Sequence, residues 1–351
     1  MERRNFLQLT SAAAMTAGAV LPAAKPIRAG ILGTQHSHVR GKLQAMKDSA
    51  DYQVVSVCEN DAAARGKAQK DALYSGLRFV TEEELLADRS IDLIVVECRV
   101  WEALAWGKKV INAGKHLHLE KPPGAEWAPF RELVEEARRK KLLLQTGYMY
   151  RDHRGMCAAI EAAKNGWLGD VYMMRGTINS DRTPEGRAIE ARYPGGGFFE
   201  LGGHMVDRAV ELFGRPKKVN SYLRHDTSIA DKLADNNLVV LEYARALAVI
   251  ASAARMWGTD QHRSFELIGS DGSIMVQPAE GSRPKMRVGL RKAQGPYKAG
   301  WQEIELGAQP RFVGDFQELA RALKSGQPLK LGYDHELILH ETLLKASGQM
   351  Q

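Results

Sequence analysis

Between residues 27 and 146, short apolar segments alternate with amphipathic ones, and this alternation constrains the fold more than any other feature. The segments "IRAGILG", "YQVVSVCEN" and "IDLIVVEC" have the pattern of strands, and "HVRGKLQAMKDS" and "VWEALAWGKKVINAG" have that of helices. The run "IDLIVVEC" is apolar throughout, as expected of a strand buried on both faces. Strands alternating with helices predict an α/β fold of the Rossmann type, a doubly wound parallel sheet.

The pattern changes after Arg151. The segments "DVYMMRGTINS", "NNLVVLEYA" and "LAVIASAA" resemble the strands of hairpins and open-faced sheets. We therefore expect a second, α+β unit with a mostly antiparallel sheet. The predicted organisation is an N-terminal segment over 1–24, a Rossmann unit over 25–150, and the α+β unit over 151–351.

Composition excludes two classes of protein. The formal net charge is +7 over 351 residues, but no Lys/Arg-rich run with interleaved aromatic residues concentrates that charge, so we expect no nucleic-acid partner. The three cysteines, Cys58, Cys98 and Cys157, lie far apart and show no zinc-finger spacing. They predict neither a disulfide framework nor a zinc site.

The segment 1–24 reads "MERRNFLQLTSAAAMTAGAVLPAA", in which Arg3 and Arg4 precede a modest apolar stretch and then small residues. This order resembles a twin-arginine export signal, with cleavage after Ala19 or after Ala24. The apolar stretch is too short for a membrane span. The prediction is a periplasmic or otherwise extracytoplasmic protein that is exported already folded.

The first predicted strand ends in a glycine turn, "GTQHSH", that departs from the usual dinucleotide fingerprint. Gly33 occupies the first glycine position, but the second and third positions hold Gln35 and His38. The helix that follows still offers free N–H groups and a positive dipole end to a phosphate. Further donors come from the side chains of the turn, which are Thr34, Gln35, His36 and Ser37. We expect pyrophosphate to bind here in a shifted position.

Glu59 ends the second predicted strand. An acid in this register suits the ribose diol of NAD and repels the additional phosphate of NADP. We therefore expect NAD rather than NADP.

Two further motifs follow the fingerprint. The strand "KHLHLEKP" ends in Glu120, Lys121 and Pro122, and the segment "GGGFFELGGH" carries Glu200 and His204. Together with the order of the elements, these motifs resemble the glucose-fructose oxidoreductase / inositol dehydrogenase / rhizopine-catabolism (Gfo/Idh/MocA) family. The resemblance implies an NAD-dependent oxidoreductase that acts on a secondary hydroxyl of a sugar or cyclitol. It also implies a homo-oligomer that pairs through the open sheet of the second unit.

The chemistry of these residues agrees with that role. Lys121, at the carboxyl end of a parallel strand, points into the crevice where ligands bind and can stabilise negative charge on a substrate oxygen. A histidine titrates near neutrality, and the resemblance assigns His204 the acid/base role. Glu200 stands where the family usually has Asp; it either holds a substrate hydroxyl or is a solvated acid at a helix start.

The resemblance implies further contacts around the crevice. Glu120 and Cys98 are predicted to lie against the cofactor, and Arg99 and Trp101 follow Cys98 in a loop that normally lies near the nicotinamide. Tyr148, Arg151 and His153 are candidate contacts to the substrate, although a surface position suits His153 equally well. The full prediction for the cofactor site is Gly33, Thr34, Gln35, His36, His38, Glu59, Cys98, Glu120 and Lys121.

Other chemistries have less support in the sequence. His36 and His38 are two residues apart at a helix start and have no third ligand nearby in sequence, so we predict no metal site. A Gly-x-Ser-x-Gly nucleophile elbow is absent. Two alternatives stay open: a redox-assisted glycoside-cleaving enzyme of the same family, and a non-catalytic exported protein that binds a sugar or a protein partner.

Overall fold

The structure, a computed structural model, describes residues 25–280, 284–308 and 310–351. Its first sheet has six parallel strands in the order β3-β2-β1-β4-β5-β6. These strands are β1 (Ile27–Leu32), β2 (Tyr52–Cys58), β3 (Arg78–Phe79), β4 (Leu93–Val96), β5 (His116–Leu119) and β6 (Leu144–Thr146). The predicted doubly wound sheet is confirmed.

Helices connect these strands on both faces of the first sheet. They are α1 (Val39–Lys47), α2 (Ala62–Lys70), α3 (Glu82–Ala87), α4 (Val100–Asn112) and α5 (Trp127–Arg139). The apolar face of α1 is buried through Val39, Leu43 and Met46. Helix α3 begins with a capping box, in which Thr81 accepts from the backbone of Glu84 and the Glu84 carboxylate accepts from that of Thr81.

The second sheet has eight strands in the order β14-β13-β12-β11-β7-β10-β9-β8. They are β7 (Val171–Thr177), β8 (Lys218–Arg224), β9 (Asn236–Glu242), β10 (Leu247–Ala253), β11 (Ser264–Gly269), β12 (Gly272–Val276), β13 (Lys285–Leu290) and β14 (Gly300–Glu305). Only the β7–β10 pair is parallel, so the predicted mostly antiparallel sheet is confirmed. The sequence did not predict β13 and β14.

The remaining helices pack on or between the two sheets. They are α6 (Arg154–Lys164), α7 (Pro184–Glu190), α8 (Gly203–Phe213), α9 (Val313–Ser325) and α10 (Tyr333–Ala346). Helix α9 returns to the first sheet, where Phe316 and Leu319 join the buried cluster around Ile31. The chain therefore returns to the first sheet after the last strand of the second sheet.

Among the described residues no helix combines the length and the apolar character that crossing a bilayer requires. The predicted export signal over 1–24 lies outside the described residues.

Candidate active site

Lys121 lies at the carboxyl edge of the parallel sheet, directly after β5, and its side chain is 1% exposed. Its Nζ donates to Glu200 Oε1 at 2.7 Å and to the Glu200 backbone carbonyl at 3.0 Å. Glu200 belongs to the segment that leads into α8. This ion pair therefore joins the two motifs that the sequence placed 79 residues apart.

The acid and the histidine of the second motif lie on different kinds of helix. Phe198–Gly202 forms a π-helical turn that contains Glu200, and α8, which contains His204, begins at Gly203. A side chain at Gly203 would bring its Cβ within 2.8 Å of the Tyr148 ring, so only glycine allows α8 to approach the first unit this closely. π-helical turns inside α-helices occur frequently at functional sites.

His204 is 2% exposed, and its Nδ1 has no hydrogen-bond partner among the described residues. Its ring contacts the rings of Tyr148, at a centroid distance of 5.5 Å, and Tyr150, at 4.9 Å. Burial, followed by the positive charge of Lys121, holds the pKa of His204 well below its ordinary value. At neutral pH this imidazole is uncharged, so one ring nitrogen is free to accept a proton.

Glu190, at the end of α7, is a second buried carboxyl group that the sequence analysis missed. It is 6% exposed; Oε1 lies 2.5 Å from Arg182 Nε, and Oε2 has no partner among the described residues. Burial raises the pKa of Glu190 to about 7, with the charge of Glu200 acting in the same direction and Arg182 and Lys121 against it. No local motif marks this residue, because its burial and its charged neighbours exist only in the folded chain.

The glycine turn after β1 requires glycine at its first position. Gly33 has φ +94°, and a Cβ there would lie 2.7 Å from the Glu97 carbonyl oxygen. The backbone N–H groups of Gln35 and Ser37 have no hydrogen-bond partner among the described residues. An open cleft lies beside this turn, lined by Gln35, Ser37, Arg40, Ala64, Lys67 and Tyr74.

Glu59, the predicted ribose ligand, contacts the turn itself. Its Oε2 accepts from the backbone N–H of Thr34 at 2.7 Å and from Thr34 Oγ1 at 2.8 Å. Its Oε1 accepts from Gln35 Nε2 at 3.2 Å and from the backbone N–H of Asp61 at 2.9 Å. These bonds connect the carboxylate to the turn and to the start of the segment that leads into α2.

A buried polar cluster lies beneath the turn. Lys42, from α1, is 0% exposed and pairs with Glu97 at 2.6 Å and with Glu120. Burial opposes its charged form, yet the two carboxylates hold the pKa of Lys42 above its ordinary value. His38 Nδ1 lies 3.1 Å from Glu120 Oε1, and burial lowers the pKa of His36 to about 4. The third glycine position of the fingerprint is thus filled by a hydrogen-bonded imidazole.

Arg99, which follows β4, lines the cleft beside the glycine turn, whereas Trp101 lines a separate pocket. Cys98 is buried, and burial raises the pKa of its thiol. Trp101 is 42% exposed, with the guanidinium carbon of Arg192 at 4.2 Å and that of Arg99 at 5.4 Å from its ring centroid. This aromatic ring therefore bridges the first unit and the segment after α7.

The donors of Arg151, a predicted substrate contact, are all engaged inside the protein. The guanidinium bonds to Asp207 at 2.8 and 3.0 Å and to Glu336 at 2.7 and 3.1 Å, and the Thr146 carbonyl oxygen accepts at 3.4 Å. His153 is also buried, where Nδ1 caps α6 and Nε2 lies 2.6 Å from the Ala279 carbonyl oxygen. These two residues support the site rather than line it.

The sequence predicted no metal site, because His36 and His38 have no third ligand nearby in sequence. The structure supplies one from a distant segment, because ligand atoms of His36, His38 and Glu120 lie within 4.8 Å of one another. Sequence spacing missed this group because Glu120 follows β5, and parallel strands end at a common edge.

A Rossmann sheet joined to an open antiparallel sheet, with a lysine and an acid paired between them, defines a two-domain dinucleotide-linked oxidoreductase. The profile of an oxidoreductase family with an NAD-binding Rossmann fold matches residues 27–148, and that of the Gfo/Idh/MocA C-terminal domain matches residues 156–275. The chain belongs to the Gfo/Idh/MocA oxidoreductase family.

Individual relatives share 30% or less of their residues with this chain in the two matches that follow. An uncharacterised oxidoreductase of Schizosaccharomyces pombe is 30% identical over 223 residues, 62% of this chain and 60% of that protein. The match therefore spans less than two thirds of this fungal relative. A dTDP-3,4-didehydro-2,6-dideoxy-alpha-D-glucose 3-reductase of Saccharopolyspora spinosa is 25% identical over 337 residues, 93% of this chain and 97% of that enzyme.

Solved structures show the same fold. A 3-ketoreductase from Actinomadura kijaniata, crystallised with TDP-benzene and NADP, superposes with a TM-score of 0.74 at 18% identity. The superposition covers 92% of this chain and 96% of that one.

Proposed function

We propose that this protein is an NAD-dependent oxidoreductase that oxidises or reduces a secondary hydroxyl of a sugar or cyclitol and holds its cofactor tightly. The observation that carries the proposal is the Lys121–Glu200 ion pair beside the neutral, buried His204, at the carboxyl edge of the parallel sheet. Ligands of open α/β sheets bind at this edge. The sugar-nucleotide reductase of Saccharopolyspora spinosa supports a carbohydrate substrate.

The residues around the glycine turn fit a dinucleotide. The Gly33 turn, the free N–H groups of Gln35 and Ser37, and the start of α1 would hold the pyrophosphate. We assign NAD because the Glu59 carboxylate would lie close to a 2′-phosphate and repel it. When bound, the nicotinamide supplies the acceptor for the hydride.

Side chains of the protein would remove the proton of the substrate hydroxyl group. The Lys121 ammonium would donate to the substrate oxygen and stabilise its developing negative charge, which favours loss of the hydroxyl proton. His204, uncharged and with an unpartnered Nδ1, would accept that proton. Glu200 holds the Lys121 ammonium in place through the 2.7 Å bond.

A second candidate is redox-assisted glycoside cleavage, and Glu190 is the observation that favours it. Oxidation of a sugar hydroxyl to a ketone makes the C–H bond on the adjacent carbon acidic. A base then removes this proton, and the bond to the aglycone oxygen breaks. An acid protonates the aglycone oxygen as it leaves. The hydride then returns to the sugar, so that no reduced cofactor accumulates. This sequence needs two acid/base groups, and Glu190, with a pKa of about 7, would be the second beside His204.

One experiment separates these functions. Purified full-length protein is examined for bound nicotinamide and then incubated with a panel of sugars, cyclitols and p-nitrophenyl glycosides. A dehydrogenase forms reduced nicotinamide, whereas the cleaving enzyme releases nitrophenol without it. Lys121→Met should abolish either signal and Lys109→Met, at a surface lysine, should not. Protein that neither carries nor binds a nicotinamide would support the non-catalytic alternative.

We also propose export and self-association. Arg3→Lys together with Arg4→Lys should retain the precursor in the cytoplasm, as judged by cell fractionation.

The second sheet exposes large apolar side chains, namely Tyr172, Tyr222, Leu238, Leu247 and Trp301. Such a surface favours pairing with a second copy, and Trp301→Lys should lower the mass measured by analytical ultracentrifugation.

A further inference from the structure

Two histidines and a glutamate converge beneath the glycine turn from segments far apart in sequence. His36 and His38 come from the turn before α1, and Glu120 follows β5, 82 residues after His38. Their ligand atoms lie within 4.8 Å of one another. Two imidazoles and a carboxylate are the donor set of many sites that bind a first-row divalent metal and leave positions open for other ligands.

The distances suit a shared ion. His38 Nδ1 lies 3.1 Å from Glu120 Oε1, and His36 Nδ1 lies 3.8 Å from Glu120 Oε2. Two ligands bonded to one tetrahedral Zn²⁺ at about 2.0–2.1 Å stand about 3.3 Å apart. The two observed separations bracket this value.

Glu97 provides an independent observation that points to a cation. It is fully buried, its Oε2 has no hydrogen-bond partner among the described residues, and this oxygen lies 3.8 Å from His36 Nδ1. A buried carboxylate oxygen without a partner is costly unless a cation or a donor reaches it.

Lys42 does not by itself satisfy the cluster. Its single ammonium contacts Glu97 Oε1 and Glu120 Oε2, which leaves Glu97 Oε2 without a partner among the described residues. Its contact also fixes one oxygen of Glu120, in the way that outer partners orient metal-binding carboxylates. Nearby, Lys121 is already paired with Glu200.

Two members of the cluster are partly exposed, and one of them, His36, lines the cleft beside the glycine turn. The side chains of His36 and His38 are 14% and 15% exposed, whereas Glu97 and Glu120 are 0% and 4% exposed. We propose that His36, His38 and Glu120 bind a divalent first-row transition metal, with Glu97 beside it and open positions facing the cleft. Imidazole ligands favour Zn²⁺ or Co²⁺ over Mg²⁺. This site does not depend on the proposed dinucleotide or substrate.

The test uses untagged full-length protein, treated with a chelator and dialysed without any dinucleotide against Zn²⁺, Co²⁺ or Mg²⁺. The expected result is one Zn²⁺ or Co²⁺ per chain, a visible absorption band with Co²⁺, and no retained Mg²⁺. Because the measured quantity is the bound metal and no dinucleotide is added, failure to bind NAD would leave this measurement unaffected.

Variants locate the ion. His38→Gln and His36→Gln should each weaken Zn²⁺ binding by at least about 100-fold. His262→Gln, which changes an exposed histidine outside the cluster, should bind as the wild type does. Circular dichroism verifies that each variant is folded. If one histidine variant does not fold, the other still provides the test. No uptake of Zn²⁺ and Co²⁺ by the wild type, or uptake unchanged in both variants, would overturn the proposal.

Discussion

Lys121 and Glu200 form the link between the two halves of the candidate site, because the Lys121 ammonium donates to both the Glu200 carboxylate and the Glu200 backbone carbonyl. The lysine is buried and the acid is 22% exposed. The ammonium is therefore held in position inside the protein, whereas the carboxylate of Glu200 is partly open to solvent.

The first prediction concerns this pair. Lys121→Met should lower kcat by roughly 10²- to 10⁴-fold, because the charge on the substrate oxygen then lacks its stabilising donor. Glu200→Gln keeps an acceptor for Lys121 and should lower kcat less. In the double variant the effects should fall short of additive, since the residues act together. Steady-state kinetics of the four proteins provide the measurement, and additive effects would show that the pair does not act as a unit.

The second prediction concerns pH and Glu190. Its pKa is raised from 4.5 to about 7, so between these values the folded protein keeps a proton that the unfolded chain has lost. This difference lowers the free energy of unfolding as pH rises through the interval, by up to about 3 kcal/mol. Glu190→Gln should remove the loss, so the variant gains stability relative to the wild type at pH 8 but not at pH 4.

Urea denaturation at the two pH values measures this difference. Glu185→Gln, at the exposed start of the same helix, is the matched control and should behave as the wild type. An equal effect of Glu190→Gln at both pH values would mean that this carboxyl group titrates normally.

The third prediction concerns the buried ion pairs around Arg151. Arg151→Met leaves Glu336, which is 0% exposed, without its cation, and should lower the free energy of unfolding by about 3–5 kcal/mol. Arg245→Met breaks an exposed pair with Asp170 and should cost less than about 0.5 kcal/mol. Thermal denaturation measures both. A strongly raised KM with unchanged stability would instead make Arg151 a substrate contact.

The fourth prediction concerns the choice of cofactor. Glu59→Gln keeps a carbonyl acceptor near Thr34 but removes the negative charge that opposes a 2′-phosphate. The affinity for NADP relative to NAD should rise about tenfold, which corresponds to about 1.4 kcal/mol. Thr34→Val removes a donor to Glu59 but leaves the charge, so it should not change the ratio. Fluorescence titration with each reduced dinucleotide measures the ratio, and a constant ratio in Glu59→Gln would assign Glu59 to the turn alone.

The sequence predicted much of the fold because local patterns carry it. The apolar run of β4, the capping box at Thr81 and Glu84, and the buried face of α1 are all local features. They depend on side-chain period and on hydrogen bonds between near neighbours. Strands β13 and β14 were not predicted. They are defined by hydrogen bonds between strands, in which β13 pairs with both β12 and β14.

The positions of Lys121, Glu200 and His204 could also be expected from motifs at the ends of elements. The contacts of the residues around them could not be expected from the sequence. Arg151 donates hydrogen bonds to Asp207 and Glu336. The pKa of Glu190 is raised because the folded chain buries its carboxyl group. The bonds of Arg151 join residues that are 56 and 185 positions apart in the sequence.

The sequence by itself thus determined the two kinds of sheet and the motifs at the ends of their strands, because hydrophobic period and turn chemistry are local. Only the tertiary structure decided that Glu59 binds its own glycine turn, and that Glu120 meets His36 and His38. The physical reason is that hydrogen bonds and desolvation depend on which groups share a buried volume. That volume exists only after the parallel strands have brought their carboxyl ends together.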